Sequence, residues 1–269
     1  MEIKLDGKVA LVTGGGKGIG RAIALRLARS GAHVAVNYHR SQAGAEKISE
    51  EIRKMGLKSI AIQADVSISS QVNQMVDQVI ETFDGRLDIL INNAGLAPFK
   101  EVPTKEVVNM TDEEWNQIVD TNLKGAFYVS RAAARVMIKR GTGGRIIGIA
   151  SGAGHSGRHG QAHYCASKAG LILLCKTLAI ELAHHNINVN SISLGFVDLG
   201  YYESSALRSI KESMLRRILL HRPGKAEDIA NMAAFLASEQ ANWITGTDFL
   251  VDGGESTGRI PEEEAGRNE

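Results

Sequence analysis

Several features that mark specialised protein classes are scarce in this sequence. Only two cysteines occur among its 269 residues, Cys165 and Cys175, and both fall in one predicted helix, where ten residues span about 15 Å. A disulfide needs Cα atoms within about 7 Å, so these two cannot pair, which fits a reducing compartment. No apolar run is long enough for a signal peptide or a membrane span. We therefore expect a cytoplasmic protein with no membrane partner.

A charge excess of one sign is also missing. The net charge is +1 and the basic residues are scattered, which argues against nucleic acid as a partner. With 43% hydrophobic residues the chain can bury a core without a metal. The series His155, His159 and His163 is expected to line a pocket mouth or face solvent, and no metal is predicted. A small molecule remains the expected partner.

Short β-branched runs alternate with amphipathic segments along the chain. Strands are predicted at 8–13, 32–37, 59–64, 87–92, 145–150, 187–192 and 247–251, and helices at 18–30, 42–55, 69–83, 112–139, 162–184 and 226–238. This alternation is typical of parallel βαβ units. It predicts an α/β fold with one domain over 1–269, a doubly wound, Rossmann-like parallel sheet of about seven strands with helices on both faces. The polar tail, 260–269, is expected to be frayed.

The first predicted strand leads directly into a glycine-rich turn, Thr13-Gly-Gly-Gly-Lys-Gly-Ile-Gly20. Glycines permit a tight turn and let a pyrophosphate approach the backbone N–H groups at a helix N-terminus. The spacing differs from GxGxxG, so a merely glycine-rich turn is the alternative. Its position after the first strand of a βαβ series favours a dinucleotide site. The predicted contacts are Gly14, Gly16, Lys17, Gly18, Ile19 and Gly20.

The residues after the second strand bear on the choice of cofactor. Sites that prefer NAD usually place an acidic residue about 20 residues beyond the glycine turn, where it binds the ribose 2′-hydroxyl. Here the segment reads Asn37-Tyr38-His39-Arg40-Ser41, with no acid. Arg40, with His39 and Lys17, could face a 2′-phosphate, and Tyr38 belongs to the same predicted contact set. NADP(H) is therefore preferred and NAD(H) stays possible, unless Arg40 is an ordinary solvated charge.

With Tyr164-Cys-Ala-Ser-Lys168 at its other end, the chain resembles the short-chain dehydrogenase/reductase family, from about residue 6 to 254. The motifs that carry the resemblance appear in order: the Thr13–Gly20 turn, Asp65-Val66, Asn92-Asn93-Ala94-Gly95, Asn122, Ser151, and Tyr164 with Lys168. The sequence is similar to both 3-oxoacyl-carrier-protein reductases and glucose dehydrogenases of the family. The resemblance implies an NAD(P)-dependent enzyme that interconverts CH–OH and C=O groups.

The resemblance also implies a role for each matching residue. Asp65 and Val66 would contact adenine, and Asn93, Ala94 and Gly95 the adenosine ribose. Gly195 and Val197 would hold the nicotinamide carboxamide, although Leu194 and Leu199 replace the proline and threonine common in the family. The implied catalytic residues are Asn122, which would hold a water, Ser151, Tyr164 and Lys168, the last also contacting the nicotinamide ribose. The expected substrate contacts are Ser151, Ala153, Tyr164 and Phe196.

The spacing of Tyr164 and Lys168 suits general acid–base chemistry. A phenol has a pKa of about 10, too high for a base at neutral pH. Four residues apart on a helix, the two side chains share one face. A cation about 4 Å away at an effective dielectric near 20 favours phenolate by about 4 kcal/mol, or roughly three pKa units. Tyr164 would then act as general acid or base near neutrality.

The sequence also bears on other functions and on partners. The segment 149–152 reads Ile-Ala-Ser-Gly, not the GxSxG of a nucleophile elbow, which disfavours a hydrolase. A cofactor-binding sensor or scaffold without turnover is the alternative function. Residues 194–220 are expected to form a substrate lid. The family implies a homotetramer packed through 112–139 and 162–184; Ile180 stands where the carrier reductases typically have a second basic residue, with Arg135 as a candidate for the first.

Overall fold

The predicted strands form one parallel sheet. The computed structural model describes residues 2–98, 101–200 and 211–258. The strands are β1 (Val9–Val12), β2 (His33–Tyr38), β3 (Ser59–Gln63), β4 (Ile89–Asn92), β5 (Gly144–Ser151), β6 (Ile187–Leu194) and β7 (Asp248–Val251). Their order is β3-β2-β1-β4-β5-β6-β7, and each neighbouring pair is parallel. The doubly wound, Rossmann-like fold is thereby confirmed.

Helices cover both faces of the sheet. They are α1 (Gly18–Arg29), α2 (Gln42–Lys54), α3 (Ser69–Thr82), α4 (Asp112–Val119), α5 (Gly125–Arg140), α6 (Ala162–Leu182) and α7 (Ala226–Ala237). One apolar cluster joins the sheet to α3, α5 and α6, and the other joins it to α1, α2 and α7. Every residue of β1, β4 and β5 is buried, as expected for parallel strands covered on both faces.

The helix predicted over 112–139 is interrupted. Its start is as expected, since Thr111 and Glu114 form a capping box. The helix then widens into a π-helical turn over Asp120–Lys124 before α5 begins. Inside that turn, the Asn122 side chain pairs with the main chain of Leu96, accepting from its N–H at 2.7 Å and donating to its carbonyl at 3.0 Å. Such turns frequently occur at functional sites, and apolar periodicity does not reveal them.

The strand order reverses between β1 and β4, which places a crevice at their carboxyl ends. The two ends are tied together: the Asn93 amide donates to the carbonyls of Thr13 and Gly14 at 2.9 and 3.2 Å. In return, the Thr13 hydroxyl accepts from the N–H groups of Asn93 and Ala94, each at 3.0 Å. This network sets the position of the glycine-rich turn at the switch point of the sheet.

Two sequence predictions fall partly or wholly outside the described residues. Of the expected lid, 194–220, the structure describes 194–200 and 211–220, and the stretch 211–215 is helical. The expected frayed tail, 260–269, lies entirely outside them. Among the residues that are described, no helix is long and apolar enough to cross a membrane.

Candidate active site

A cleft of about 490 Å³ opens at the carboxyl edge of the central strands. Fourteen of the predicted site residues lie on its wall: Gly14, Lys17, Gly18, Ile19, Gly20, Asn93, Ala94, Gly95, Ser151, Tyr164, Lys168, Gly195, Phe196 and Val197. They come from the ends of β1, β4, β5 and β6 and from α6, regions far apart in sequence. The cleft therefore combines the predicted phosphate turn and the predicted catalytic group in one continuous cavity.

The glycine-rich turn fits a bound pyrophosphate. Gly14 has φ +62°, and a Cβ there would lie 3.0 Å from the Cα of Ala94, so a side chain would both strain the backbone and press on the neighbouring strand end. No side chain caps the N-terminus of α1, and its first residues, Gly18 to Gly20, face the cleft. An anion at this end would be held by backbone N–H groups and the helix dipole.

Gly16 supports the turn from behind rather than from the cleft wall. A Cβ at Gly16 would lie 3.0 Å from the carbonyl of Ser41 and 3.2 Å from the amide nitrogen of Ala45. The turn is thus packed against the first turn of α2. Asn37, at the end of β2, holds it from a second side, because its side-chain carbonyl accepts from the N–H of Gly14 at 3.1 Å.

The residues predicted to contact adenine, and those after β2 predicted to face the 2′-phosphate, lie outside this cavity, at the ends of β2 and β3. Arg40 is exposed, whereas Tyr38 and Val66 are buried beneath the surface. His39 Nε2 lies 3.8 Å from Asp65 Oδ2. Burial raises the pKa of Asp65, but hydrogen bonds from Ser67 and the charges of His39 and Arg40 outweigh it, so the pKa is lowered overall. Asp65 is therefore an ionised acceptor at neutral pH.

The predicted catalytic residues lie on one side of the cleft. Ser151 is the last residue of β5, and Tyr164 and Lys168 lie in the first two turns of α6. The Lys168 Nζ is 5.7 Å from the centre of the Tyr164 ring and donates to the carbonyl of Ile149 at 2.8 Å. The Ser151 hydroxyl accepts from the N–H of Ala153 at 3.2 Å. All three side chains are carried by regular elements or their ends.

Asn122 and Ala153 lie behind the cleft wall instead of on it. Asn122 is buried, and besides Leu96 its amide contacts the Ser167 hydroxyl at 3.3 Å, which donates to the carbonyl of Tyr164 at 2.8 Å. Ala153 is buried because its backbone turns inward beneath Ser151. Its side chain is covered within the short helical turn Gly152–Gly154, and contact between Ala153 and the substrate stays a prediction.

The Lys168 ammonium is almost completely buried, with 7% of the residue exposed. Desolvation disfavours its charged form and lowers its pKa from 10.5 to about 8. The amine thus stays mostly protonated at pH 7 but titrates within reach of neutrality. One carbonyl satisfies one of its three N–H donors, which leaves donors available on the side of the cleft.

The three histidines before α6 lie in different environments. His155 Nε2 is 2.7 Å from Asp248 Oδ2, and His159 Nε2 is 3.2 Å from Glu106 Oε1. His163 is fully buried, and desolvation lowers its pKa. The expectation that this series lines the pocket mouth or faces solvent is therefore wrong for His163, because residue 163 already belongs to α6 and points into the protein.

The segment after β6, which departs from the common family pattern, is held by close packing. A Cβ at Gly195 would lie 2.8 Å from the Cα of Asp252, so glycine is needed there. Phe196 donates its N–H to Glu255 Oε2 at 3.1 Å, and Val197 pairs with Gly224 in an isolated parallel bridge. The Leu199 side chain reaches toward Gly18 across the cleft.

Comparisons with known proteins agree with this geometry. A family model described as Enoyl-(Acyl carrier protein) reductase matches residues 14–256. A 3-oxoacyl-[acyl-carrier-protein] reductase of Staphylococcus epidermidis is 43% identical over 249 residues, which cover 92% of this chain and 98% of that protein. The crystal structure of a putative short-chain alcohol dehydrogenase from Sinorhizobium meliloti superposes with a TM-score of 0.87 at 37% identity, covering 96% of this chain and 99% of that one.

This chain belongs to the short-chain dehydrogenase/reductase family. A short-chain dehydrogenase/reductase from Mycobacterium marinum has the same TM-score, 0.87, and identity, 37%, over 96% of this chain and 98% of its own. A 3-oxoacyl-[acyl-carrier-protein] reductase of Synechocystis is 40% identical over 253 residues, 93% of this chain and 97% of that protein. Family membership makes this chain an oxidoreductase of the pyridine-nucleotide-dependent type.

Sequence reasoning missed several residues of the cleft in this short-chain dehydrogenase/reductase. Leu96, Ala97 and Gln161 line it, as do three charged residues, Glu101, Arg158 and Glu255. Glu255 follows β7 and reaches the cleft only because β7 pairs with β6. No local pattern marks such a contact. Arg158, in contrast, lies between Ser151 and Tyr164 in sequence, and that position alone is a signal that could have found it.

Burial of the Lys168 ammonium predicts a gain in stability when it is removed. The unfolded-state pKa lies above the folded value, so the charged form is penalised in the folded state at pH values below about 8. Lys168→Met should raise the free energy of unfolding of the cofactor-free protein at pH 7 by about 1–3 kcal/mol. The gain should shrink as pH rises from 8 toward 10.5, where wild-type Lys168 deprotonates in both states.

Thermal or urea unfolding of both proteins at pH 7, 8.5 and 10 measures this difference. Lys47→Met, at an exposed position on α2, is the matched control and should change stability little at any of these pH values. An equal stability of wild type and Lys168→Met at pH 7 would show that the ammonium is solvated or paired in a way that cancels its desolvation.

Proposed function

We propose that this protein is an NADP(H)-dependent oxidoreductase that transfers a hydride between the nicotinamide and a carbonyl or secondary alcohol carbon. The observation that carries the proposal is that Ser151, Tyr164 and the buried Lys168 line one side of a cleft whose other end is the glycine-rich turn. A polar pair beside a buried cation suits an oxygen that gains or loses a proton. Family membership supports the same class of reaction.

The chain supplies a complete set of cofactor contacts in this proposal. The bound nicotinamide would provide or accept the hydride. The pyrophosphate would lie on the N-terminus of α1, because that end is uncapped and open to the cleft. Asp65 would accept a hydrogen bond from the adenine amino group, and the free donors of Lys168 would bind the nicotinamide ribose. Gly195 and the Val197 backbone would hold the carboxamide.

The proton chemistry falls to the chain's own residues. Ser151 would hydrogen-bond the substrate oxygen and fix its position. Tyr164 would donate a proton to that oxygen during reduction and remove it during oxidation. Lys168 would stabilise the phenolate electrostatically, since both groups border the same cleft. Asn122 would hold these residues in position from behind the cleft wall. It hydrogen-bonds the main chain of Leu96 and contacts Ser167, whose hydroxyl bonds the Tyr164 carbonyl in the first turn of α6.

The lining of the cleft and the names of the relatives suggest the first substrates to test. Leu96, Phe196, Leu199 and Met214 give the cleft an apolar side, which suits a carbonyl on an aliphatic chain. The curated relatives are named 3-oxoacyl-[acyl-carrier-protein] reductases, which supports 3-oxoacyl thioesters as candidates. The matching family model is described as an enoyl reductase, so an enoyl thioester belongs in the same panel.

Substitution of the phenol tests the catalytic proposal against the sensor alternative. Tyr164→Phe should lower kcat for carbonyl reduction by about 100-fold or more, because general acid catalysis typically contributes 10²–10⁴-fold. Binding of NADPH should change little, as the ring remains. The measurement is the loss of NADPH absorbance with a panel of ketones, 3-oxoesters, quinones, sugars and thioesters.

Tyr128→Phe, on α5 and against Arg131, is the control for removal of a tyrosine hydroxyl and should leave turnover unchanged. Tight NADPH binding without turnover of any substrate by the wild type would favour a sensor or scaffold. A Tyr164→Phe variant as active as wild type would contradict the assignment of the proton donor.

The exposed cation after β2 tests the choice of cofactor. Arg40→Ala should raise the KM for NADPH by about 10- to 100-fold, because a charged hydrogen bond contributes about 1.5–3 kcal/mol. The KM for NADH should stay within about threefold, since NADH has no 2′-phosphate for Arg40 to bind. Steady-state kinetics with both cofactors give these values. Lys47→Ala removes another exposed cation from α2 and should affect neither; a wild type that prefers NADH would refute the role of Arg40.

Exposed apolar residues on α5 and α6 support a homotetramer. Phe127 and Ile138 on α5 are 40% and 37% exposed, and Leu173 and Ile180 on α6 are 65% and 81% exposed. Large apolar side chains in such numbers on two neighbouring helices are typical of a surface that packs against a partner. A second copy of this chain is the proposed partner, since closed symmetric assemblies are the commonest.

Leu173→Asp should disrupt such packing, because each copy would bury a carboxylate in an apolar interface. Light scattering after size-exclusion chromatography should then show about half the wild-type mass or less. Val108→Asp changes an apolar residue that is 87% exposed but lies outside these helices, and it should leave the mass unaltered. A wild-type protein that runs as a monomer would contradict the proposed assembly.

A further inference from the structure

The guanidinium of Arg158 lies near Ser151, and the proposed reaction gives it no role. Arg158 belongs to the connection between Ser151 and Tyr164, and its side chain lines the cleft. Its Nη2 lies 3.6 Å from the point where a Cβ of Gly152 would stand. The guanidinium therefore extends over Gly152, the residue that follows Ser151. The absence of a side chain at Gly152 leaves the space that the guanidinium enters.

The nearest counter-charge of Arg158 is weakly engaged. Its Nη2 is 3.9 Å from Glu255 Oε1, beyond hydrogen-bond distance. Arg217 Nη2 lies at the same distance, 3.9 Å, from the same oxygen. The other oxygen, Glu255 Oε2, accepts the N–H of Phe196. Two guanidiniums thus share one carboxylate, and the nearby Lys211 and Asp198 pair with each other. Neither guanidinium is within hydrogen-bond distance of this carboxylate oxygen.

A purely structural role does not explain this arrangement. An ion pair at 3.9 Å with a partly exposed arginine contributes little to stability. Within the described part of the chain, no acceptor hydrogen-bonds the Arg158 guanidinium, and its side chain is 31% exposed at the cleft, so its N–H donors are accessible to a ligand there. A planar fork of N–H donors matches the two oxygens of a carboxylate. The arrangement is that of a donor group awaiting an anionic ligand.

We infer that Arg158 is a specificity-determining residue that binds a carboxylate of the substrate, so that this enzyme acts on oxo acids and the corresponding hydroxy acids. The inference rests on the proposed function and refines its substrate class. The substrate carbonyl would lie at Ser151 and Tyr164, and its carboxylate would lie over Gly152 against Arg158. The apolar side chains of the cleft would then cover the carbon chain between or beyond the two groups.

The test compares each acid with its uncharged ester. Wild type, Arg158→Met and Arg158→Lys are assayed with NADPH on 2-, 3- and 4-oxo acids and on their methyl esters. For at least one chain length the wild type should prefer the acid. For that chain length, Arg158→Met should raise the KM for the acid by about 50-fold, while kcat/KM for the ester stays within about threefold of the wild-type value. Arg158→Lys should recover part of the loss, because it keeps the charge but not the fork.

Two controls separate binding from structure and from the proposed function. Arg29→Met removes an exposed arginine at the C-terminal end of α1 and should change the kinetics of neither the acid nor the ester. Calorimetric titration of malonate into the NADPH complex measures carboxylate binding without turnover; wild type should bind and Arg158→Met should bind at least tenfold more weakly.

The outcomes separate the role of Arg158 from the proposed reductase function. Equal losses for acid and ester in Arg158→Met, or a wild type with no preference for any acid, would overturn the role of Arg158 and leave the reductase standing. Malonate binding that depends on Arg158, without reduction of any carbonyl, would overturn the proposed function and leave the anion site. Absence of both turnover and malonate binding would overturn both.

Discussion

Parallel strands create a problem at their carboxyl ends, where the chain leaves the sheet and backbone groups lose their partners while still buried. In this protein, asparagine side chains solve it, because one amide both donates and accepts. Asn37 accepts from Gly14 and donates to the carbonyl of Ala64 at 3.1 Å. Asn190 makes the same kind of paired bonds at the opposite edge of the sheet, where it donates to Ile244 and accepts from Thr247 in the segment that leads into β7. The Asn37 bonds supply hydrogen-bond partners to buried backbone groups beside the cleft.

The same device extends from the sheet to the helices. Asn93 ties β4 to the glycine turn, and Asn122 ties the loop after β4 to the π-helical turn. These two amides together fix the loop that forms one wall of the cleft. That wall faces α6, and the Asn122 amide contacts this helix at the Ser167 hydroxyl. A rigid base of this kind is what a site needs if its reacting groups are to keep their spacing.

The sequence predicted the elements more reliably than their junctions. Continuous apolar runs identified β1, β4 and β5 because strands buried on both faces have no polar alternation. The apolar period also indicated the helix after Thr111, but it could not show the π-helical turn. In that turn the Asn122 side chain pairs with the main chain of Leu96, which is distant in sequence. Motifs located Ser151, Tyr164 and Lys168. They could not locate Glu255, whose place in the cleft depends on which strands pair.

The buried ammonium of Lys168 lowers the stability of the folded protein. Its burial lowers the ammonium pKa to about 8, so the folded chain is less stable with the charge than it would be with an apolar side chain. Apolar burial in the two core clusters around the sheet opposes that loss. Any anionic or hydroxyl-bearing partner that restores its missing hydrogen bonds gains more than it would from a solvated lysine, because the desolvation is already complete before the partner binds.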